Sequence, residues 1–416
     1  MRCEVIAVGT ELLLGQIVDT NSSYIGEQLA LSGIDSHFQT KVGDNAERMR
    51  ASIEQALSRS EAVILCGGLG PTQDDITRNV VAEVMGVELE LRENLVDRIE
   101  SRFSRRGRTM PRNNLRQAEI PVGGDAIPVM PGTAPGLVCP VGDGQIIYAV
   151  PGVPWEMRTM IDEFVLPDLR ERAGITAVIR SRVVRTWGQS ESGLAELLHD
   201  EIERLDGTGE ATLAFLASGI EGLKVRITAK ADTEDEAIAA IDAEEVLVRR
   251  IIGEDIIFGL DDQTMETVVV DLCRQQGLSL GTAESLTGGL IAQRITAHPG
   301  VSDVFRGSIV SYADGVKQDL LALGSRAAIS DEGARQMAIG AAEALQADAV
   351  VAVTGVAGPD PAGGHDVGTV FMATLLDSEV ESLRVDWPFD RNRIREFTTI
   401  TVLNQLRKRL LARAGT

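Results

Sequence analysis

Residues 1–172 alternate between short apolar runs and longer segments in which apolar residues recur at helical spacing. Residues 3–10 (CEVIAVGT) and 61–68 (EAVILCGG) are runs of the first kind, which are typical of strands buried on both faces. Residues 21–33 (NSSYIGEQLALSG) are of the second kind and end on a glycine, as many helices do. Strands and helices that alternate in this way predict a doubly wound, mainly parallel sheet.

The pattern changes after this first domain. Over residues 173–255, strands with alternating polarity and two helical segments predict a small α+β domain. An acidic turn at 259–266 (GLDDQTME) marks the boundary with the last domain, residues 260–416, in which helices and buried strands alternate again. We therefore expect an α/β protein with two α/β domains of mainly parallel sheet, joined by a small α+β domain.

Composition and charge argue against several functional classes. The net charge of −22 repels a phosphate backbone, so we expect no direct nucleic-acid binding. Residues 219–222 (GIEG) have the spacing of a nucleic-acid-clamping loop, but they are acidic and lie between two predicted strands, which indicates a hairpin turn. No apolar run approaches the ~18 residues of a membrane span, and Glu4 and Glu11 argue against a signal peptide. Four scattered cysteines favour reduced thiols in a cytoplasmic protein.

The first domain carries a candidate ligand site at residues 66–77 (CGGLGPTQDDIT), where a predicted buried strand ends. Glycines let the backbone approach a ligand closely, and free N–H groups there bind anions. Asp74 and Asp75 follow, and adjacent carboxylates beside a phosphate suit Mg²⁺ or a similar divalent metal. The alternative is a capped turn with Asp74 as the helix N-cap. The candidate substrate contacts in this loop are Gly67, Gly68, Gly70 and Thr72.

Other strand ends of this domain should face the same crevice, since ligands of parallel sheets lie at the carboxyl ends of the strands. The segment GTELLLGQIVDTN provides Thr10, Glu11 and Asn21 as candidate substrate contacts. Two further turns, GTAPG and PGVPWEM, provide Gly132 and Glu156. Taken alone, each of these two turns favours a purely structural loop.

Together these segments resemble the molybdopterin-binding-like domain of the CinA family, which shares GTELLLG, GGLGPTQDD, NNLRQA, GTAPG and PGVPWEM. The resemblance implies metal-dependent hydrolysis of ADP-ribose to AMP and ribose 5-phosphate. It also implies that Asp74 and Asp75 hold the metal while the glycine loop holds the pyrophosphate. A second interpretation makes the domain a pterin-binding or transfer module, although such binders usually keep a GGTG-type loop.

A second candidate site begins at residues 281–289 (GTAESLTGG). A serine such as Ser285, between a strand and a Thr-Gly-Gly turn, is an ordinary helix N-cap, so this segment alone leaves cap and nucleophile open. Two later segments favour a reaction centre. FRGSIVSYADGVK places Tyr312 at a strand end and Lys317 one turn into the next helix, and VTGVAGPDPAGG places Thr354 in another strand-end loop.

These segments resemble the C-terminal domain of the CinA family, which is a nicotinamide mononucleotide (NMN) deamidase module. The likeness rests on ESLTGG, FRGSIVSYADGVK and TGVAGP, and with the first domain and a KH-like middle domain it covers nearly the whole chain. It implies that Ser285 attacks the nicotinamide carbonyl, Lys317 takes its proton, and Tyr312 orients or relays that proton. A lysine accepts a proton only in its uncharged form, which desolvation favours.

Further residues are candidates for roles in this chemistry. Glu284 is expected to bind ribose hydroxyls or to orient Lys317. Arg391, Arg393 and Arg395 could hold the substrate phosphate, although solvent-facing charges explain them equally well. The candidates for oxyanion or substrate contacts are Thr354, Gly288, Gly289 and Gly355.

One loop departs from the family pattern. It reads GGHDVGTV, with His365 and Asp366 where the family commonly has Lys-Pro, so NMN affinity or selectivity is in doubt. The leading hypothesis is a bifunctional hydrolase of pyridine-nucleotide salvage that acts on NMN and ADP-ribose, forms a homodimer, and needs no cofactor for deamidation. A competence or DNA-repair accessory that works through protein partners is a further alternative.

Overall fold

A computed structural model describes residues 1–105, 107–142, 144–217, 219–324 and 327–414. The chain forms two compact units. The first contains Met1–Arg180 and Lys230–Ala237, and the second contains Ser181–Ala229 and Ile238–Thr416. Within the described ranges, no helix is both long and apolar enough to cross a membrane.

The first unit is built on a six-stranded sheet and a separate strand pair. Its strands are β1 (Cys3–Val8), β2 (Gln39–Val42), β3 (Ala62–Cys66), β4 (Leu89–Leu91), β5 (Glu119–Pro121), β6 (Asp125–Ala126), β7 (Leu137–Val141) and β8 (Gln145–Val150). The sheet has the order β2-β1-β3-β8-β7-β6, in which the first four strands are parallel and β7 and β6 form an antiparallel edge. Strands β4 and β5 pair separately.

Helices of the first unit follow the strands. They are α1 (Thr10–Leu13), α2 (Thr20–Leu31), α3 (Ala46–Leu57), α4 (Thr77–Met85), α5 (Glu93–Ser104), α6 (Pro154–Met160) and α7 (Leu166–Ala173), with a 3₁₀ segment at Arg112–Ala118 and a π-helical turn at Ile161–Val165. The sheet is buried on both faces, because Val63 and Leu65 of β3 join one hydrophobic cluster while Ile64 joins another. This explains why β3 is a continuous apolar run.

A four-stranded sheet follows, in the order β10-β11-β9-β12. Its elements are β9 (Val178–Thr186), α8 (Glu191–Leu197), α9 (His199–Thr208), β10 (Thr212–Ala217), β11 (Leu223–Ala231), α10 (Glu234–Ile252) and β12 (Ile257–Leu260). Residues 219–222 connect β10 and β11 through a 3₁₀ turn, so the hairpin prediction is confirmed. Residues 259–266 are only partly a linker, since β12 extends to Leu260 and pairs with β9.

The last sheet has the order β14-β13-β15-β16-β17. Its elements are α11 (Met265–Gln275), β13 (Leu280–Glu284), α12 (Leu290–Thr296), β14 (Phe305–Val310), α13 (Asp314–Leu321), α14 (Asp331–Leu345), β15 (Ala349–Gly355), β16 (Thr369–Leu376), β17 (Glu379–Asp386) and α15 (Arg391–Ala414). Strands β14, β13 and β15 are parallel, whereas β16 and β17 form an antiparallel edge. Both α/β sheets are thus mixed, with a parallel centre that confirms the predicted fold class.

Candidate functional site

The glycine loop after β3 can form only with glycine at its first position. Gly67 has φ +119°, and a Cβ there would lie 2.3 Å from the carbonyl oxygen of Val8. The chain therefore turns sharply at the end of β3 and passes directly over the end of β1. Gly152, which follows β8, lies against the same turn, since its Cβ position is 3.6 Å from Gly67 Cα.

Side chains from two other segments hold the carbonyl groups of this loop. The Arg78 Nη2 donates to Leu69 O at 2.6 Å, Arg116 Nη1 donates to Thr72 O at 2.6 Å, and the Thr77 hydroxyl donates to Gly67 O at 2.8 Å. Burial lowers the pKa of Arg78 to about 10. These contacts explain the NNLRQA segment, whose 3₁₀ turn supplies Arg116.

Because its carbonyl groups are hydrogen-bonded by side chains, the glycine loop leaves its backbone N–H groups available for a ligand. In the described part of the chain, the N–H groups of Gly68, Leu69 and Gly70 have no hydrogen-bond partner. Successive unpaired amides of this kind form a concave anion-binding surface. The loop therefore suits a phosphate group.

The two adjacent aspartates differ. Asp75 Oδ2 accepts the Thr72 N–H at 2.8 Å and also the Thr72 hydroxyl, whereas Asp74 is exposed. Helix α4 begins with Ile76 as its N-cap and no side-chain cap, so the alternative reading of Asp74 as N-cap is wrong. Among the described residues, no group of three His, Cys, Asp or Glu side chains is arranged to hold a metal ion. A cation at Asp74 and Asp75 would therefore need phosphate oxygens or water to complete its coordination.

The segment after β1 closes the other side of this crevice. Asn21 Nδ2 donates to Gly152 O at 2.8 Å, and a cavity of about 160 Å³ is lined by Glu11, Asn21 and Cys66. The Thr10 N–H and hydroxyl both contact Asp44 Oδ2 at 2.9 Å. Thr10 therefore has a structural partner, which the sequence did not suggest.

Gly132 and Glu156 form a second cavity in the same unit, of about 320 Å³. A Cβ at Gly132 would lie 2.1 Å from Glu156 Oε1, so any larger residue there would displace the carboxylate from this position. Burial raises the pKa of Glu156, and the nearby Arg102 guanidinium partly opposes that shift. The structure thus brings these two predicted residues together, in a cavity whose other lining residues include Arg108 and Trp155.

In the second unit, Glu284 ends β13 and is 0% exposed. Its carboxylate accepts the N–H groups of Gly289 (3.0 Å), Ile291 (3.1 Å) and Ala292 (2.9 Å), and the Ser308 hydroxyl at 3.2 Å. It thus fixes the start of α12. The prediction that Glu284 binds ribose hydroxyls is corrected, because its oxygens are already engaged inside the protein.

Ser285 begins the turn that Glu284 holds. It is 8% exposed, and its N–H donates to Val353 O at 3.1 Å. The N-cap position of α12 belongs to Gly289, four residues later, so the interpretation of Ser285 as a helix cap is wrong. The amides of Gly288 and Gly289 donate to Ser285 O and to the Glu284 carboxylate, which corrects their prediction as oxyanion donors.

Lys317 lies at the same edge of the sheet. Strands β13 and β14 are parallel neighbours, and beyond them the Ser311 N–H donates to Glu284 O at 2.8 Å. Lys317 follows in the first turn of α13 and is 2% exposed. Its Nζ donates to Asp314 Oδ1 at 2.9 Å, and Asp314 itself faces solvent. A buried amine one turn into the helix is what the sequence predicted.

Helix α15 supplies arginines to this edge. Arg395 Nη2 donates to Thr287 O at 2.7 Å, and Arg391 Nη2 donates to the Tyr312 hydroxyl at 2.7 Å. Tyr312 is exposed, and the Gly288 Cβ position lies 4.0 Å from its ring and 3.9 Å from Arg395 Nη2. Arg391, Arg395 and Tyr312 therefore gather around the turn at residues 285–289, which we call the serine turn.

Three other predicted contacts lie elsewhere or are already occupied. Thr354 is fully buried and its hydroxyl donates to Ala328 O at 2.7 Å, so it is not free to donate to an oxyanion. A Cβ at Gly355 would lie 2.5 Å from Thr369 O, so this glycine allows close strand packing. Arg393 lies 4.7 Å from the ring centre of Phe389, which places it on the aromatic side of α15.

His365 anchors the loop that departs from the family pattern, GGHDVGTV. His365 Nε2 lies 3.1 Å from Ile329 O, and its ring packs edge-on against Phe371 at 5.2 Å. The Asp366 carbonyl accepts the Thr369 N–H at 3.2 Å. The substituted pair therefore has structural contacts of its own.

The chain matches three family descriptions along its length. Residues 4–171 match "Probable molybdopterin binding domain", residues 181–259 match "Damage-inducible protein CinA KH domain", and residues 262–410 match "CinA C-terminal domain". The sheets described above correspond to these three segments in order.

Full-length relatives agree with these matches. A CinA-like protein of Frankia casuarinae is 42% identical over 99% of this chain and 96% of its own, and one of Dictyoglomus thermophilum is 40% identical over 99% and 100%. Crystal structures of CinA from Thermoplasma acidophilum (34% identity, 39% of this chain and 95% of that one, TM-score 0.37) and of CihA from Agrobacterium tumefaciens (35%, 35% and 93%, 0.34) are also similar. The chain belongs to the CinA family.

Proposed function

We propose that the C-terminal domain hydrolyses the carboxamide of NMN, giving nicotinate mononucleotide and ammonia. The observation that carries this is the serine turn: Ser285 leaves the sheet where a buried carboxylate fixes the turn, and a buried lysine follows the neighbouring strand. Amide hydrolysis needs a nucleophile and a base, and these two residues provide both at one sheet edge.

The steps follow from that pairing. Ser285 Oγ attacks the amide carbon while its proton passes to the Lys317 amine. The tetrahedral intermediate collapses as the protonated amine gives that proton to the leaving nitrogen, so ammonia departs and an acyl-serine remains. Water then attacks the ester with Lys317 again as the base, which frees the acid and restores Ser285. The Lys317–Asp314 hydrogen bond holds the amine in place during this cycle.

The developing oxyanion needs donors. Since Gly288, Gly289 and Thr354 are engaged elsewhere, we assign this role to the Leu286 N–H, which directly follows the nucleophile and has no partner among the described residues. Such a donor is worth about 10²–10³ in kcat. The exposed guanidinium of Arg391 is the candidate for the substrate phosphate, and Arg395 holds the turn through Thr287 O.

For the first unit, we propose hydrolysis of ADP-ribose to AMP and ribose 5-phosphate. The unpaired amides of Gly68, Leu69 and Gly70 suit the pyrophosphate, and Asp74 and Asp75 stand beside them as oxygen donors for a divalent cation. When bound, that cation would supply charge to the phosphoryl group and an activated water. Arg78 and Arg116 keep the loop in the shape that presents its amides.

The match to a molybdopterin binding domain favours one alternative, namely that the first unit binds a pterin without hydrolysis. Both proposals are tested by incubating the purified chain with NMN and with ADP-ribose, with and without a divalent metal. Ammonia and AMP are assayed separately. We expect ammonia from NMN without added metal, and AMP from ADP-ribose only with metal. Pterin binding without AMP formation would favour the alternative, and absence of ammonia would contradict the deamidase proposal.

A further inference from the structure

The second unit contains a cavity of about 560 Å³ that the serine turn does not border. This volume lies within the range of small-molecule sites, which is about 300–1,000 Å³. Its walls come from the end of β9, the turn before β11, the segment after β17, and α15. The lining residues are Trp187, Gly188, Gln189, Ser190, Gly219, Gly222, Leu223, Trp387, Phe397 and Thr401.

The walls of this cavity are unusually aromatic for this chain. Aromatic residues make up 4% of the sequence, yet two of the three tryptophans line this one space. The ring of Phe397 stands between them, with its centre 5.6 Å from that of Trp187 and 5.6 Å from that of Trp387. Flat aromatic walls are the surface on which planar rings stack.

Backbone contacts fix the positions of both tryptophans. The Trp187 N–H donates to Ile256 O at 2.8 Å, and the Trp387 N–H donates to Gly368 O at 2.9 Å. A Cβ at Gly222 would lie 2.1 Å from the carbonyl oxygen of Thr186, so the turn that borders the cavity needs glycine there. Contacts within the protein therefore fix the backbone that carries the cavity walls.

Two lining residues carry buried polar atoms without a partner in the described part of the chain, Trp387 Nε1 and Thr401 Oγ1. An indole N–H can only donate, so only an acceptor satisfies it. A buried polar atom without a hydrogen-bond partner is energetically unfavourable. A ligand with ring nitrogens or a carbonyl carries acceptors of this kind.

The charged residues around the cavity favour a single uncharged ring over a nucleic-acid strand as its ligand. Glu221, in the turn at the cavity edge, pairs with Arg185 at 3.0 Å and with Arg294 at 2.6 Å. The lining set given above contains no lysine or arginine. A phosphate backbone would find no unpaired cation there, whereas an uncharged ring needs none.

We propose that this cavity binds an uncharged planar heteroaromatic compound of nucleobase size, stacked against Trp187, Trp387 and Phe397. Helix α15 carries Phe397 and Thr401 as well as Arg391 and Arg395, so the ligand contacts the helix that also reaches the serine turn. This proposal does not depend on the deamidase activity, since it concerns a separate site.

The test uses the full chain with Trp155→Phe, so that only Trp187 and Trp387 fluoresce. Adenosine is titrated, with ribose as the matched compound that lacks a ring. We expect saturable quenching by adenosine and none by ribose. Thr401→Leu, which fills the cavity with an apolar side chain, should weaken adenosine binding at least tenfold, and Phe397→Leu should do the same. Circular dichroism checks that each variant is folded.

Three results would overturn the proposal. One is quenching that rises linearly with adenosine without saturation, and another is saturable binding that Thr401→Leu leaves unchanged in a folded protein. The third is a single-stranded oligoadenylate that binds more than tenfold tighter than adenosine and weakens steeply with salt, which would assign the surface to a nucleic-acid strand.

Discussion

Replacing Glu284 by glutamine tests whether this buried acid organises the serine turn or contacts substrate. The carboxylate accepts four hydrogen bonds, three of them from the amides of Gly289, Ile291 and Ala292. A glutamine has only one oxygen, so its amide nitrogen takes the place of one carboxylate oxygen. It then faces either the N–H groups of Gly289 and Ile291, or the Ala292 N–H together with the Ser308 hydroxyl. The second orientation is better, because a hydroxyl can also accept.

The magnitude follows from this geometry. In the better orientation, the Ala292 N–H loses its acceptor, which costs about 1–3 kcal/mol, and two charge-assisted bonds become neutral ones at a loss of about 1 kcal/mol each. We therefore expect Glu284→Gln to destabilise the second unit by roughly 3–5 kcal/mol. Ser308→Ala, the matched control, removes one neutral donor and should cost about 1 kcal/mol.

Thermal unfolding followed by tryptophan fluorescence measures this, since Trp187 and Trp387 lie in the second unit. Each 1 kcal/mol corresponds to about 2–4 °C for a unit of this size, so Glu284→Gln should lower the midpoint by roughly 10 °C and Ser308→Ala by a few degrees. Below the midpoint, kcat for NMN should fall with KM little changed. An unchanged midpoint with a raised KM would refute this reasoning. It would instead support a contact between Glu284 and the ribose hydroxyls of the substrate.

The remaining predictions concern both units. Ser285→Ala should abolish ammonia release from NMN and leave AMP formation from ADP-ribose intact; loss of both activities would contradict two independent sites. Asp75→Asn should abolish metal-dependent AMP formation, and full turnover in that variant would discredit its metal role. Gly67→Ala should destabilise the first unit by several kcal/mol in urea unfolding, because its Cβ would overlap Val8 O, whereas Gly86→Ala, with open space around it, should cost about 1 kcal/mol. Burial raises the pKa of Glu156, so the charged carboxylate is disfavoured in the folded state. The stability linked to this raised pKa is fully present below the unfolded-state pKa of about 4.3, and it is lost as the pH rises through the folded-state pKa. Glu156→Gln should therefore melt higher than the wild type at pH 7 and equal it near pH 4; a constant difference across that range would exclude the linkage.

The parallel centre of each sheet could be predicted from sequence because its strands are buried on both faces and are therefore mostly apolar runs. Strand β17 is hard to predict for the opposite reason: its residues are exposed or only partly buried, as expected for an edge strand. Tyr312 and Lys317 were placed correctly because both follow from where β14 ends and α13 begins.

The contacts that shape the two turns were not predictable. Arg78 and Arg116 act on backbone carbonyls of the glycine loop, and Asp44 acts on Thr10 from the end of a different strand. No spacing rule links such partners, since the tertiary fold alone brings them together. Glu284 was misread for a related reason: an acid in an apolar strand indicates that its charge is needed, but only the structure shows that three amides need it.

The arginines of α15 bear on the order in which the protein matures during synthesis. The serine turn and the lysine helix leave the ribosome well before residues 391–414 do, and N-terminal parts of a chain generally fold first. Until α15 docks, Thr287 O lacks its guanidinium donor and Tyr312 lacks Arg391. A nascent or truncated chain that stops at β17 would carry Ser285 and Lys317 without these contacts from α15, so we expect the proposed deamidase activity only once the final helix has been made.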